Sequence, residues 1–263
     1  MSTTLSKTGK ALLYAIILIP CLSGIWFSSQ WMLAGLAQHQ VEQIMINENW
    51  NAQAPPPADT WQAMRSKLDT RLVYGTKLSQ PLRELGLLYE MQPMGVENDE
   101  ISGSAESGEG EDSEIGNWPE ALSVYRHVIT LSPGWPDDWG RLAWAKFMLG
   151  ELDNEFLGAL QNALMLGTEE NRLDLQLSIL SPIGMAMQPD ADSFLYFLTD
   201  TYIRKSLQGG ENYDLTLNAL ENTGLLATYC QDLSVMTTPA PVLNRCATLN
   251  NPDTLDTLDT PAQ

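Results

Sequence analysis

A long stretch without charge lies near the start of the chain and constrains its fold more than any other feature. Residues 11–37 contain no Asp, Glu, Lys, Arg or His. About 20 apolar residues in helical form cross the hydrocarbon core of a bilayer, so this stretch is long enough for one crossing. Tyr14 near one end and Trp26 and Trp31 near the other have the placement of interfacial aromatic residues. The sequence therefore predicts a single transmembrane helix over residues 11–37.

The charges that flank this stretch predict its orientation. Lys7 and Lys10 precede it, whereas Glu42 follows it. Because basic flanks stay in the cytoplasm, residues 1–10 are predicted to be cytoplasmic and the C-terminal domain periplasmic, in a bacterial inner-membrane protein. The alternative is a cleaved signal peptide whose apolar region ends at Pro20, before a cleavage site around Cys21 and Ser23, although apolar residues continue well beyond that position.

The chain beyond the apolar stretch is strongly acidic. The whole protein has 33 acidic and 14 basic residues and a formal net charge of −19, and all of the acidic residues follow the apolar stretch. Such a charge repels phosphate backbones and anionic lipid head groups alike. Nucleic acid is therefore not an expected partner. Hydrophobic residues make up 44% of the chain, which is enough apolar material for a folded core.

A spacer and a helical region follow the predicted span. Three consecutive prolines at 55–57 cannot continue a helix, so residues 38–58 are predicted to form a juxtamembrane helix and a stiff spacer. Apolar residues at spacings of three and four then predict helices over about 60–76 and about 80–91.

An acidic segment interrupts the helical region. Residues 97–114 hold eight acidic residues and no basic one, with Gly and Ser between them. Such a segment cannot bury enough apolar surface to offset the entropy of ordering. Its acids also lack the spacing of a calcium-binding loop. The sequence therefore predicts a disordered, solubilising insertion over residues 92–117.

Two copies of a tetratricopeptide-like pattern lie around this insertion. That repeat is a 34-residue helix pair with large residues in the first helix, small and aromatic residues in the second and a closing proline. The insertion separates the two halves of the first copy, and the second copy matches if one residue is inserted in the turn between its two helices. The matching positions are Leu82, Leu85, Gly86, Tyr89, Ala121, Tyr125, Val128 and Pro133 in the first copy, and Trp139, Leu142, Gly150, Phe156, Leu160, Ala163 and Leu164 in the second.

Further helices are needed, because each repeat exposes an apolar face until a neighbour covers it. One is predicted around Leu177, another around Leu198, and a last one begins near Tyr213. The predicted fold is all-α, an N-terminal transmembrane helix followed by a tetratricopeptide-repeat-like helical hairpin stack over residues 59–235. Residues 236–263 are predicted to be a C-terminal tail. The residues expected to face the core of the two added helices are Leu173, Leu177, Leu180, Phe194, Leu198 and Tyr202.

The sequence contains no familiar catalytic motif. It has no His-Glu-x-x-His, no phosphate-binding loop, no Gly-x-Ser-x-Gly and no Gly-x-Gly-x-x-Gly. His39 and His127 lie in different predicted regions, and three cysteines cannot form a structural zinc site. The expectation is a protein without enzymatic activity, cofactor or metal.

The densest cluster of aromatic and acidic residues lies at 132–139. Within and just after it, Trp135, Asp138 and Arg141 are our candidates for contact with a protein partner. One alternative is sugar binding, because aromatic faces flanked by carboxylates stack on sugar rings and accept their hydroxyl groups. The other alternative is structural, with Trp139 packing in the repeat and Asp137 or Asp138 capping the next helix.

The order of these features resembles the VpsP family of polysaccharide biosynthesis proteins. The resemblance rests on the basic and then apolar N-terminus, on ALSVYRHVITLSPGWPDDWGRLAWAKFMLG at 121–150, and on EFLGALQNALMLG at 155–167. It implies a role in making or exporting an exopolysaccharide such as that of a biofilm matrix. The acidic insertion departs from the family pattern, and the resemblance transfers no functional residue.

These features together predict a membrane-anchored, non-enzymatic adaptor in exopolysaccharide biosynthesis or export. Its partners are expected to be inner-membrane proteins that synthesise or export the polymer. Two alternatives stay open. One is a scaffold for cytochrome assembly or cell division, and the other is a cryptic enzyme that modifies sugars or lipids of the envelope.

Cys230 and Cys246 are the two cysteines outside the apolar stretch. In an oxidising periplasm the thiols of a folded domain tend to pair, so a disulfide between them is predicted. Two reduced thiols are the alternative, because sequence alone does not show that the two Cβ atoms approach each other.

Overall fold

The structure is a computed structural model that describes residues 55–75, 79–93, 116–167, 174–188, 190, 192–208, 212–233 and 240–250, with isolated positions at 19, 22–24 and 28. It divides into two compact units, Met1–Asn117 and Trp118–Gln263. All regular secondary structure of the described residues is α-helical, which confirms the predicted all-α class.

The first unit contains a helical hairpin. Helix α1 covers Ala58–Gly75 and α2 covers Ser79–Glu90, close to the two predicted helices. The indole Nε1 of Trp61 donates to the carbonyl oxygen of Leu88 at 2.7 Å. The Arg65 guanidinium lies 4.7 Å from the centre of the Tyr89 ring, within range of a cation–π contact. These two contacts hold the helices together, and Trp61 is itself buried.

The two ends of the acidic insertion lie side by side. The amide of Gly116 donates to the carbonyl of Gln92 at 3.1 Å, and the amide of Asn117 donates to the carbonyl of Tyr89 at 2.8 Å. The predicted disordered interior of the insertion lies outside the described residues. The residues that flank the insertion are therefore hydrogen-bonded to each other.

The predicted membrane span at 11–37 lies outside the described residues, apart from the isolated positions, and so does most of the predicted spacer at 38–58. Among the helices that the structure describes, none has both the length and the apolar character needed to cross a membrane.

The second unit is a stack of antiparallel helices. From α3 onward each helix packs against the next, and α4, α5 and α6 also pack against the helix after that, as in a layered repeat. The helices are α3 Trp118–Leu131, α4 Pro136–Met148, α5 Asn154–Leu166, α6 Asp174–Met187, α7 Phe194–Leu207, α8 Tyr213–Asn222, α9 Leu226–Leu233 and α10 Ala240–Asn250.

The helices of the continuous predicted repeat, α4 and α5, pack together as a hairpin. Its predicted end at Gly150 is confirmed, because Gly150 has φ of +69° and its amide closes the last turn on the Phe147 carbonyl. Asp153 then caps α5 by accepting from the amides of Glu155 and Phe156. The predicted core positions that the structure buries here are Leu142, Phe156, Leu160, Ala163 and Leu164.

The two halves of the broken repeat fall in different units, α2 in the first and α3 in the second. In α3 the predicted core positions Ala121, Tyr125 and Val128 are all fully buried.

The prediction of which face of α7 is buried was wrong. Phe194 is exposed, and Leu198 and Tyr202 are half-buried, whereas Leu195, Thr199 and Ile203 enter the core. A threonine can occupy the core here because its Oγ1 donates to backbone carbonyls one turn back, at 2.9 Å.

The predicted tail at 236–263 also needs correction, because it contains α10. Val242 and Cys246 of α10 are buried in a cluster that also includes side chains of α6, α7, α8 and α9. A disulfide joins Cys246 to Cys230 of α9, with their Cα atoms 5.4 Å apart. Residues after 250 lie outside the described part of the chain.

Candidate functional site

The turn between α3 and α4 is rigidly held. The Trp139 indole Nε1 donates to the carbonyl of Pro133 at 2.7 Å, so this ring folds back over the turn. Ser132 Oγ donates to the Asp138 carboxylate at 3.1 Å. The fixed backbone dihedral of Pro136, the first residue of α4, favours the start of that helix.

The three residues predicted to contact a partner have different environments at this turn. Trp135 is 53% exposed and projects from the N-cap position of α4. Arg141 is mostly covered and pairs with Asp137 at 3.1 Å, one turn earlier on the same helix. Asp138 is completely buried, so the prediction that it touches a partner needs correction: its carboxylate stabilises the turn. Trp135 is the most accessible of the three.

Trp135 lies at one end of the helical stack. Tyr202, in the second half of α7, donates to Asp174 at the start of α6, and Ser206 near the end of α7 meets Thr216 in the first turn of α8. Consecutive helices therefore run in opposite directions, as their short connections also require. We call the end at which α3, α5 and α7 finish and α4, α6 and α8 begin the Trp135 end.

Exposed apolar side chains collect at the Trp135 end. Met165 and Leu166 are in the last turn of α5, just after Ala163 and Leu164 have filled its inner face, so they point outward. Exposed Leu and Trp side chains identify a surface suited to protein contact, since Trp is enriched among residues that dominate binding energy. The exposed large apolar residues of this end are Leu131, Trp135, Met165, Leu166 and Leu175.

A small cleft of about 30 Å³ with polar lining residues lies at the same end. The hydroxyl of Tyr202 donates to Asp174, 3.0 Å away. Burial raises the pKa of Tyr202 above its ordinary value, and Asp174 adds to the effect, so the phenol stays protonated and acts as a donor. The cleft offers hydroxyl, carboxylate, amine and amide groups for hydrogen bonding. Its lining consists of Asp174, Ser178, Tyr202, Lys205, Ser206 and Asn212.

A buried lysine organises charge at the opposite end of α4. Lys146 is only 1% exposed, and its Nζ donates to Glu151, Asp153 and Glu155 at 2.9 to 3.0 Å. Burial by itself lowers the pKa of Lys146, but the hydrogen bonds to the three carboxylates outweigh it, and the pKa lies above its ordinary value. A nucleophilic lysine needs a lowered pKa. This lysine is therefore a protonated structural cation that ties α4 to α5.

Glu155 is also held by a second cation. Arg126 of α3 donates to both of its carboxylate oxygens, at 2.8 and 2.6 Å. The hydrogen bonds from Arg126 and Lys146 lower the pKa of Glu155 to about 2. The arrangement connects three successive helices through charge. Among the described residues, no group of three His, Cys, Asp and Glu side chains is placed to hold a metal ion.

Comparison with known proteins adds no homologue to this picture. No family model, curated protein or solved structure matches the chain. The resemblance to the VpsP family accordingly stays a sequence-based prediction.

Sequence reasoning missed most of the Trp135 end. Met165 and Leu166 carry a usable signal, because α5 already has its inward positions filled at the helical spacing, and two further adjacent apolar residues must then face outward. The cleft at Asp174 and Tyr202 has no such signal, since it depends on how α6, α7 and α8 cross.

Proposed function

We propose that this chain is a membrane-anchored, non-enzymatic adaptor in bacterial exopolysaccharide synthesis or export. It docks an inner-membrane protein of that machinery through the Trp135 end. The observation that carries the docking role is the gathering of exposed apolar side chains, with Trp135 among them, at one end of the stack. The polysaccharide role is supported by the sequence resemblance alone.

The physical case for docking is the difference between this end and an ordinary helix surface. Single exposed apolar residues are normal on soluble proteins, but several at adjoining helix ends form a patch that gains free energy when a partner covers it. Trp135 lies on a braced turn, so little backbone entropy is lost when it enters a pocket.

The test is a double variant of the full-length protein in cells, with Trp135→Ala and Leu175→Ser. Both side chains are about half exposed, so protein abundance should stay unchanged while secretion of the polymer falls to the level of a deletion strain. Pools of sugar nucleotides should not change, because an adaptor does not consume them. Leu243→Ser, at an exposed apolar position of α10, is the matched control and should secrete normally.

Normal secretion by the Trp135 and Leu175 variant, at normal abundance, contradicts docking through this end. Accumulation of one unprocessed sugar or lipid intermediate in the deletion strain, converted by the purified protein, favours the enzyme alternative instead. Unchanged polymer in the deletion strain, together with a defect in cytochrome assembly or division, favours the alternative scaffold.

A further inference from the structure

A second set of exposed apolar residues lies at the opposite end of the stack, which we call the Phe194 end. Here α4 and α6 finish, and α5 and α7 begin. Phe194 and Phe197 are 52% and 61% exposed, and their spacing of three places them on one face of α7. Leu152 is exposed on the turn that leads into α5. Helix α5 packs against α7, and both helices begin at this end of the stack.

The two phenylalanines are not part of the core of the second unit. Helix α7 buries its other face through Leu195, Thr199 and Ile203. An exposed Phe pair gains nothing for the fold of this helix, and it leaves a large apolar area in water. A partner that covers these rings removes that area from water.

The turns at this end carry charge of one sign. Residues 149–153 and 188–193 contain four acidic residues and no basic one. Glu151 and Asp153 flank Leu152, and Asp190 and Asp192 precede Phe194, all of them exposed. Two cations offset part of this charge: Lys146 lies beneath the surface, almost fully buried, and the half-exposed Arg126 pairs with Glu155 beside Asp153. No cation of this kind pairs with Asp190 or Asp192 among the ion pairs of the described residues.

We propose that the Phe194 end is a second docking surface and that it binds a cationic amphipathic helix of a partner protein. The apolar face of such a helix covers Phe194, Phe197 and Leu152, while its Lys and Arg side chains pair with the flanking carboxylates. Ammonium groups also bind favourably over the faces of Phe rings.

Charge separates this occupant from the others that an apolar patch can take. A symmetric dimer through this end places the same acidic surface of two copies together, which costs free energy through like-charge repulsion. An anionic membrane and a nucleic acid are repelled for the same reason. A cationic protein segment gains both from the apolar contact and from the charges.

The test measures binding of a synthetic peptide to the full-length protein by fluorescence anisotropy. The probe is an amphipathic peptide of Leu and Lys, about 18 residues or five helical turns long, and the control probe has Glu in place of Lys. We expect the Lys peptide to bind and the Glu peptide not to bind. The variant Phe194→Ser with Phe197→Ser should bind the Lys peptide about tenfold more weakly. The matched control, Trp135→Ser with Leu175→Ser at the other end, should bind it like the unmodified protein.

Salt dependence gives a second, independent readout. Asp190→Asn with Asp192→Asn leaves the apolar residues in place, and it should weaken binding and flatten the fall of affinity with added salt. This variant keeps the test valid even where the Phe variant does not fold, which circular dichroism reveals.

Several outcomes overturn the proposal. They are equal binding of the Glu and Lys peptides, no binding at about 100 µM protein, and equal losses in the Phe194 and Trp135 variants. A dimer in sedimentation that the Phe194→Ser, Phe197→Ser variant no longer forms also overturns it, because the occupant of this end is then a second copy of the chain. None of these outcomes bears on polymer secretion through the Trp135 end, so the two proposals fail separately.

Discussion

Lys146 illustrates how one residue can be buried with its charge intact. A lone ammonium in the core is costly, but here three carboxylates reach it from the turn and first residues of α5. The carboxylates themselves are between 38% and 56% exposed, so they remain partly hydrated while they neutralise the lysine. The hairpin of α4 and α5 is thus fixed by a cation inside and anions at the surface.

This network predicts how stability depends on pH. Glu155 has a pKa of about 2 in the folded protein, below its ordinary value of 4.5. A lowered pKa contributes stability that is present above pH 4.5 and is lost as the pH falls toward 2. Because the side chain is 38% exposed, solvent screening reduces the contribution to about 1 kcal/mol. The free energy of unfolding in urea should therefore fall across this pH range.

Glu155→Gln is the variant that isolates this contribution. It should flatten the dependence on pH between 4.5 and 2 and lower stability at pH 7. Asp214→Asn, on α8, is the comparison. An unchanged pH profile in the Glu155 variant would contradict the role given to this carboxylate.

At the scale of helices, the sequence predicted the pair α4 and α5 from their apolar spacing and the glycine at 150, and the Asp153 cap that the structure shows at the start of α5 agrees with both. The buried face of α7 was not predictable in this way. Phe194 and Leu198 are more apolar than Thr199, and only the bonds from Thr199 Oγ1 to the backbone show that a hydroxyl group can be buried there. Helix α10 was missed because its place in the core depends on contacts of Val242 and Cys246 with distant parts of the chain.

The disulfide predicts a local effect on the last helical pair. Replacing Cys230 and Cys246 by Ser removes a link across a sequence separation of 16 residues, for which the chain-entropy estimate is about 3 kcal/mol. Because α10 packs chiefly against α9, hydrogen exchange should accelerate first in α10. Amides of α4 and α5 should keep their protection.

Thiol labelling provides the check in cells. Alkylation of protein from intact cells, followed by mass spectrometry, should leave Cys230 and Cys246 unlabelled. If both thiols were freely labelled, the disulfide would be absent in cells, and the proposal that this domain lies in the periplasm would be weakened.

We expect the fold to tolerate a shorter acidic insertion. Gly116 and Asn117 are hydrogen-bonded to Gln92 and Tyr89, so replacing residues 97–113 by a short Gly-Ser linker keeps the anchored ends in place. Helix content by circular dichroism and Tm should stay nearly unchanged. A deletion of residues 96–116 removes Gly116 with its bond and should lower Tm. A large loss of helicity on the shorter replacement would mean that the insertion packs.

At the scale of the whole molecule, exposed apolar residues of the second unit lie mainly at two ends of one stack. The Trp135 end has exposed apolar side chains and a small cleft with polar lining residues, and the Phe194 end has exposed aromatic rings near carboxylates. An adaptor needs separate surfaces for separate partners, and these two ends are the surfaces that we propose. Residues 11–37 then supply the proposed anchor in the membrane.

Crosslinking in living cells shows whether the Trp135 end binds a protein of the polysaccharide machinery, as we propose. A photoreactive phenylalanine analogue replaces Trp135 in the full-length protein, and the same analogue at Leu243 is the control, since that side chain is exposed on α10. We expect a defined adduct from position 135 with an inner-membrane protein that synthesises or exports the polymer, and none from position 243. No adduct from position 135, or the same adducts from both positions, would contradict it.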